Sequence, residues 1–169
     1  IISDNYKYLD SCVYISGYNF YQAVRYCHGK KQEGTMSYIN ELEKLCEELE
    51  CKFIPDCSLK EYNTFKIGGN CKVLISVNST ASVSSLVKFM KKNNVKFTVI
   101  GRGSNILVPD EGYDGVVLFF GHDFAYTALR GNMIECEAGT LLAYACVFAQ
   151  QNGLMGMEKL FGIPGTVGG

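Results

Sequence analysis

The chain has 169 residues, 47% of them hydrophobic, which is enough for one sizeable buried core. Because 16 Lys and Arg residues face 17 Asp and Glu residues, the composition offers no basic surface of the kind that binds nucleic acid. No apolar run approaches the roughly 20 residues that cross a bilayer, and the chain does not open on a secretion signal. We therefore expect a cytoplasmic globular protein without nucleic-acid or membrane partners.

The eight cysteines include no C-x-x-C pair, and the chain has only two histidines, His28 and His122. Structural zinc sites require such closely spaced pairs of ligands. We therefore expect no metal site and interpret the cysteines as reduced thiols that pack as small apolar side chains.

Residues 1–35 are rich in tyrosine and show no clear period. From Met36 onward, apolar residues recur at helical spacing, which predicts an amphipathic helix over residues 36–50 with a solvated acidic face. The predicted buried face of this helix consists of Ile39, Leu42, Leu45, Cys46 and Leu49.

Strands and helices then alternate along the chain. Apolar, β-branched runs predict strands at residues 71–77, 96–100, 105–108, 116–120 and 132–138. A helix over residues 79–94 should be capped by Ser79 or Thr80 and should bury Val83, Leu86, Val87 and Met90. A second helix over residues 140–153 should be capped by Thr140, should bury Leu142, Ala145, Cys146 and Ala149, and should end at Asn152 and Gly153. The pattern predicts an α+β or α/β fold in which helices cover a mixed sheet.

A glycine-rich turn interrupts two of the predicted strands, in the stretch "VIGRGSNILVPDEG" at residues 99–112. A dinucleotide-binding G-x-G-x-x-G motif would need glycine where Ile106 stands, and no Lys-Ser/Thr pair completes a P-loop. Backbone N–H groups of such a turn can still surround phosphate oxygens, helped by the Ser104 and Asn105 side chains and the Arg102 charge. A tight turn between strands would explain the same residues equally well.

The chain ends on "LFGIPGTVGG", a glycine-rich apolar loop with no helix or strand after it. Ordering so many glycines costs backbone entropy, which is offset only when something holds the loop in place. We therefore expect that this chain was cut from a longer polypeptide.

Five motifs occur together in an order and spacing that resemble the UDP-N-acetylenolpyruvoylglucosamine reductase family. They are "NTFKIGG" (63–69), "IGRGSNILV" (100–108), "EGYDGVV" (111–117), "EAGT" (137–140) and "GIPGTVGG" (162–169). The resemblance covers Met36 to Gly169. It implies an α+β fold of the FAD-binding PCMH type, which is vanillyl-alcohol-oxidase-like, with two small α/β subdomains that are incomplete here. Residues 36–58 would form an N-terminal helix and lead-in, and residues 59–169 a truncated FAD-binding domain.

The resemblance also implies which residues bind FAD. The family's diphosphate loop falls on Gly101, Arg102, Gly103, Ser104 and Asn105, with Ile106 and Leu107 continuing beside the cofactor. The segment that lies along the flavin falls on Gly162, Ile163, Pro164, Gly165, Thr166, Gly168 and Gly169. Asn63 and Thr64 match a motif whose role we interpret as structural.

The activity implied by the resemblance is the NADPH-dependent reduction of UDP-N-acetylglucosamine enolpyruvate to UDP-N-acetylmuramate, a precursor of peptidoglycan. In that family the proton-donating serine, the catalytic arginine and a glutamate follow the "GIPGTVGG" loop. We therefore expect no catalytic residue in this chain, which by itself should be inactive. Ser104, His28 and His122 are not assigned as proton donors.

Two alternatives compete with the reductase assignment. The chain could be an inactive flavin-binding or folding unit, or part of another oxidoreductase of the same fold, such as a carbohydrate oxidase. The second is disfavoured because no histidine or cysteine pair stands where a flavin could be attached. Residues 1–35 match nothing in the family, and we expect them to be an extraneous or disordered extension. The alternative is a genuine extension that packs as a helix or strand.

Overall fold

A computed structural model describes residues 13–15 and 35–169 of the chain. The described strands are β1 (Val13–Ile15), β2 (Lys52–Ser58), β3 (Asn70–Ser76), β4 (Phe97–Ile100), β5 (Tyr113–Phe119), β6 (Thr127–Arg130) and β7 (Met133–Cys136). The α-helices are α1 (Thr35–Glu48), α2 (Thr80–Lys92) and α3 (Leu142–Gln151), and short 3-10 helices cover Leu59–Tyr62, His122–Phe124 and Glu158–Leu160. No helix in this part of the chain is long and apolar enough to cross a membrane.

The larger sheet has the strand order β2-β3-β5-β4. Strand β2 is antiparallel to β3, whereas β3 and β4 both run parallel to β5. The continuous apolar run from Val116 to Phe120 is typical of a parallel strand that is covered on both faces. Accordingly, Val116, Val117 and Leu118 are all at most 1% exposed.

The side chains of β5 divide between two apolar clusters. Val116 and Leu118 pack in the main core with residues of α1 and α2. Val117 lies in a second cluster with Leu74, Ile100 and Val108. The alternation follows from the two-residue period of a strand. The glycine-rich turn is therefore bordered by the second cluster, on the face of the sheet opposite the helices.

Helices α1 and α2 confirm the helical periods read from the sequence. Leu42 and Cys46 of α1 are fully buried in the main core. In α2, the Ser79 hydroxyl accepts a hydrogen bond from the Ser82 N–H at 3.1 Å, and the Ser82 hydroxyl accepts one from the Ser79 N–H at 3.2 Å. This reciprocal capping fixes the start of the helix at the predicted residue. The residues predicted to be buried, Val83, Leu86, Val87 and Met90, lie in the core.

The smaller sheet has the order β1-β7-β6, and α3 packs against it. Ile134 and Cys136 of β7 form a cluster with Ala145 and Cys146 of α3. The predicted helix is present, ends at Gln151 and has Asn152 as its C-terminal cap, but the prediction that Thr140 caps its start is wrong. The capping residue is Leu141, and the Thr140 hydroxyl instead lies 3.3 Å from the Tyr126 carbonyl oxygen.

One other local prediction is wrong, and two strands of the structure were not predicted. Residues 105–108 form no strand: within the described residues this segment pairs with no other strand, and Leu107 is 76% exposed. Strand β2 was missed because Pro55 and Asp56 resemble strand breakers, and Asp56 indeed has a left-handed φ of 47°. The short, half-exposed strand β6 was missed as well, since it carries little apolar signal.

Of residues 1–34, the structure describes only Val13–Ile15, which pair with β7 in parallel. Val13 lies opposite Ile134 and Ile15 opposite Cys136. Residues 1–12 and 16–34 lie outside the described part, and with them most of the expected extension.

We propose that residues 1–35 contribute little to the stability of the fold, because the resemblance to the reductase family begins only at Met36. A chain beginning at Met36 should melt at the same temperature as the full chain in a thermal scan. Limited proteolysis of the full chain should remove the first residues before it cuts the rest. A fall of several degrees on deletion would show instead that β1 belongs to the core of the smaller sheet.

Candidate functional site

The glycine-rich turn begins where β4 ends. The Ile100 carbonyl oxygen accepts a hydrogen bond from the Phe120 N–H at 2.8 Å, so the sheet continues to the last residue before the turn. β4 runs parallel to β5, and residues 101–105 therefore lie at the carboxyl end of a parallel strand. Loops at this edge of open α/β sheets are common places for ligands to bind.

Gly103 is held against the segment that follows the first 3-10 helix. Its φ is +65°, and a side-chain carbon at this position would overlap the Tyr62 carbonyl oxygen and lie 2.7 Å from Asn63 Cα. The Thr64 N–H donates a hydrogen bond to the Gly103 carbonyl oxygen at 3.0 Å. The turn therefore requires glycine for two reasons, the left-handed backbone and the close approach of another segment.

The two glycine-rich loops meet although they are far apart in the chain. The Ser104 hydroxyl donates a hydrogen bond to the carbonyl oxygen of Pro164, 60 residues later, at 3.2 Å. A side-chain carbon on Gly101 would lie 2.6 Å from Thr166 Oγ1. The structure thus brings together residues that the sequence assigned to a diphosphate loop and to a flavin loop.

The closing loop is anchored by backbone hydrogen bonds beside the start of α3. The Gly165 carbonyl oxygen accepts from the Leu142 N–H at 3.1 Å. The N–H groups of Val167 and Gly168 donate to the carbonyl oxygens of Thr140 and Ala138, at 2.8 and 3.0 Å. Ala138 and Thr140 belong to the "EAGT" motif, which therefore anchors the closing loop.

Thr166 carries a buried hydroxyl group without a partner. The residue is 5% exposed, and its Oγ1 makes no hydrogen bond within the described part of the chain. Side-chain carbons on Gly101 and Gly169 would lie 2.6 and 3.2 Å from Oγ1. Leaving a buried polar group unsatisfied costs about 1–3 kcal/mol, so such a group points to a ligand that would accept its hydrogen bond.

We call the contact between residues 101–105 and the closing loop the seam. The other residues assigned from the sequence lie near the seam but do not take part in this contact. Arg102 and Asn105 are exposed, and Ile106 is half-buried against the second apolar cluster. Leu107 and Ile163 present exposed apolar side chains, and a side-chain carbon on Gly162 would meet none of the described residues within 4 Å. Gly168 packs against Ala138.

The second cluster, which borders the turn, consists of aliphatic, aromatic and cysteine side chains. Cys57 and Cys71 face each other across β2 and β3 in the second cluster, and burial raises the pKa of Cys71 to about 12. Burial also raises the pKa of Tyr62, whose ring packs edge-on against Phe119 with centroids 5.0 Å apart. The Cys71 thiol and the Tyr62 phenol are therefore protonated and neutral at physiological pH. Among residues 101–105, Arg102 carries the charge, on an exposed guanidinium group.

This arrangement fits the diphosphate and ring system of FAD. A diphosphate needs several N–H donors with no side chains in the way, and residues 101–105 supply a turn with two glycines at the carboxyl end of β4. The unpartnered Thr166 hydroxyl adds a donor at the same seam. A flat ring needs a loop that it can approach closely, which the glycines of the closing loop allow.

Comparisons with known proteins agree with FAD as the cofactor of this domain. A family model described as an FAD binding domain matches residues 71–169. A UDP-N-acetylenolpyruvoylglucosamine reductase of Caldicellulosiruptor saccharolyticus is 36% identical over 128 residues, which are 75% of this chain and 41% of the relative. The reductase of the same name from Bacillus subtilis is 38% identical over 132 residues, covering 76% of this chain and 44% of the relative.

A solved structure is similar as well. The crystal structure of UDP-N-acetylenolpyruvylglucosamine reductase from Thermus caldophilus matches with a TM-score of 0.51 and 31% identity, over 70% of this chain and 40% of that one. The chain thus spans about two-fifths of the length of these relatives. The resemblance seen in the motifs and the α+β fold that it implies are both confirmed. Both glycine-rich loops fall within the matched span, and the chain belongs to the FAD binding domain family.

Proposed function

We propose that this chain is the FAD-binding portion of a UDP-N-acetylenolpyruvoylglucosamine reductase, which uses NADPH to reduce the enolpyruvyl group of a UDP-sugar. The observation that carries the proposal is the buried, unpartnered Thr166 hydroxyl between Gly101 and Gly169. The proposal is supported by relatives of that name at 36% and 38% identity. FAD, when bound, supplies the hydride chemistry of this reaction.

The two glycine-rich loops bind different parts of FAD. Backbone N–H groups of residues 101–105 donate to the diphosphate, Thr166 Oγ1 donates a further hydrogen bond, and Arg102 contributes positive charge. Ile106 and Leu107 continue beside the cofactor. The closing loop, with Gly162, Ile163, Pro164, Gly165, Thr166, Gly168 and Gly169, would lie along the flavin and its linker.

None of these residues is assigned to proton transfer. The Ser104 hydroxyl is already engaged with the Pro164 carbonyl oxygen. The His122 side chain is 92% exposed and pairs with Asp123 on a 3-10 helix outside the seam. The proposed role of this chain is therefore to bind and orient the cofactor, and the chain alone should not reduce the UDP-sugar with NADPH.

A titration of the chain with FAD tests the role of Thr166. Thr166→Val should weaken FAD binding about tenfold or more, because a hydrogen bond to a charged phosphate contributes about 1.5–3 kcal/mol. Thr166→Ser keeps the hydroxyl and should stay within about threefold of the parent chain. The melting temperature without FAD should not fall in Thr166→Val, because the hydroxyl has no partner to lose.

Thr80→Val is the matched control, since it makes the same change on the exposed first residue of α2. Its FAD affinity should equal that of the parent chain. Quenching of flavin fluorescence and the shift of the flavin absorption bands give the dissociation constants. A parent chain that leaves both signals unchanged at high FAD concentration would contradict the proposed function.

A further inference from the structure

Asn63 is a buried polar side chain at the end of the first 3-10 helix. It is 3% exposed, and its Nδ2 donates hydrogen bonds to the carbonyl oxygens of Leu59 at 2.6 Å and Ile67 at 2.9 Å. These partners lie four residues before and four residues after it. Both amide hydrogens are thus used to close residues 59–67 around the Asn63 side chain, and we call this closed segment the Asn63 clamp.

The Asn63 clamp forms the wall against which Gly103 rests. Its Tyr62 carbonyl oxygen and Asn63 Cα occupy the space of a side chain at Gly103. Its Thr64 N–H holds the Gly103 carbonyl oxygen at 3.0 Å. A peptide carbonyl and the N–H of the following residue belong to one plane, so fixing the Gly103 carbonyl also fixes the direction of the Ser104 N–H.

We propose that Asn63 is a positioning residue for FAD: by closing the clamp it sets the conformation of residues 101–105 before the cofactor arrives. The proposal rests on the proposed function and assigns Asn63 no contact with the cofactor. Its physical basis is preorganisation, because a turn that is already ordered loses less conformational entropy when a ligand binds. A purely structural Asn63 would affect folding and leave the affinity of folded chains unchanged.

Two substitutions distinguish the effect of the Asn63 Nδ2 hydrogen bonds from the effect of the size of the Asn63 side chain. Asn63→Asp keeps the size and the Oδ1 acceptor but turns a carboxylate oxygen toward the two carbonyl oxygens. Asn63→Ala removes both donors without adding charge, and it serves where Asn63→Asp fails to fold. Asn93→Asp is the matched control, because the exposed Asn93 Nδ2 also donates to the carbonyl four residues earlier, that of Phe89, at 3.0 Å.

Amide hydrogen exchange of the chain without FAD reports the clamp directly. In Asn63→Asp and Asn63→Ala the Thr64 N–H should exchange at least about tenfold faster, because its bond to Gly103 opens. The Met90 amide in α2 should keep its protection, which shows that the chain remains folded. FAD affinity, measured well below the melting temperature, should fall about tenfold or more, while Asn93→Asp should change neither quantity.

The outcomes distinguish this proposal from the proposed function. Unchanged Thr64 exchange in a folded Asn63→Ala chain would overturn the clamp, whatever the affinity for FAD. Faster Thr64 exchange with parent-like FAD affinity would overturn the positioning role. Faster exchange in a chain whose parent form binds no FAD would support the clamp and contradict the proposed function.

Discussion

Gly103→Ala should destabilise the folded chain by about 3 kcal/mol or more, whereas Gly131→Ala should cost only about 1–2 kcal/mol. Both glycines have a left-handed backbone, with φ of 65° and 60°. A side-chain carbon at Gly131 would meet none of the described residues within 4 Å, but at Gly103 it would collide with the backbone of Tyr62 and Asn63. The difference between the two variants therefore measures the collision separately from the left-handed strain.

Urea unfolding of both variants gives the two free energies. From the sequence alone, a side chain at Gly103 would be expected to obstruct the cofactor far more than to disturb the fold. The structure changes that expectation, because the turn touches its own protein at this position. We expect Gly103→Ala to lose both stability and FAD affinity, and Gly131→Ala to keep its affinity. Equal costs for the two substitutions would show that residues 62–64 yield to the added carbon.

The helices could be predicted because their signals are local. Ser79 caps the start of α2, and the helical spacing of apolar residues from Val83 to Met90 predicts the buried face of the helix. Neither signal depends on any other part of the chain. The strand order β2-β3-β5-β4 has no such signal, because it depends on which segments pair across long loops. The prediction for Thr140 failed for the same reason. Its hydroxyl does not cap α3 but donates to the Tyr126 carbonyl oxygen, an acceptor that lies 14 residues earlier in the chain.

The residues that the sequence assigns to FAD remain a prediction, whereas the contacts between the two glycine-rich loops could not be predicted from the sequence at all. The motifs placed both glycine-rich loops on FAD through a family resemblance. The meeting of Ser104 with Pro164 across 60 residues is a tertiary contact that no spacing in the sequence encodes. The part played by Asn63 was missed for the same reason, because its importance lies in what Tyr62 and Thr64 do to Gly103.

Leu118→Ala should destabilise the chain by about 3–4 kcal/mol, because it opens a cavity in the centre of the main core. Leu118 is fully buried on β5, opposite Ile75 of β3 and Val99 of β4. For a domain of this size the loss corresponds to a fall in melting temperature of roughly 10 °C. Leu129→Ala on β6 is the control, since Leu129 is 42% exposed, and it should cost less than about 1 kcal/mol.

Leu118→Ala also tests whether FAD binding depends on the helix-covered face of the larger sheet. Leu118 packs with α1 and α2, whereas the glycine-rich turn borders the cluster that contains Val117 on the opposite face. At 10 °C, where we expect Leu118→Ala to remain folded, its FAD affinity should therefore stay within about threefold of the parent chain. A stability loss as small as that of Leu129→Ala would contradict the packing of β5. A large loss of affinity in a folded Leu118→Ala chain would show instead that the turn depends on the helix-covered face.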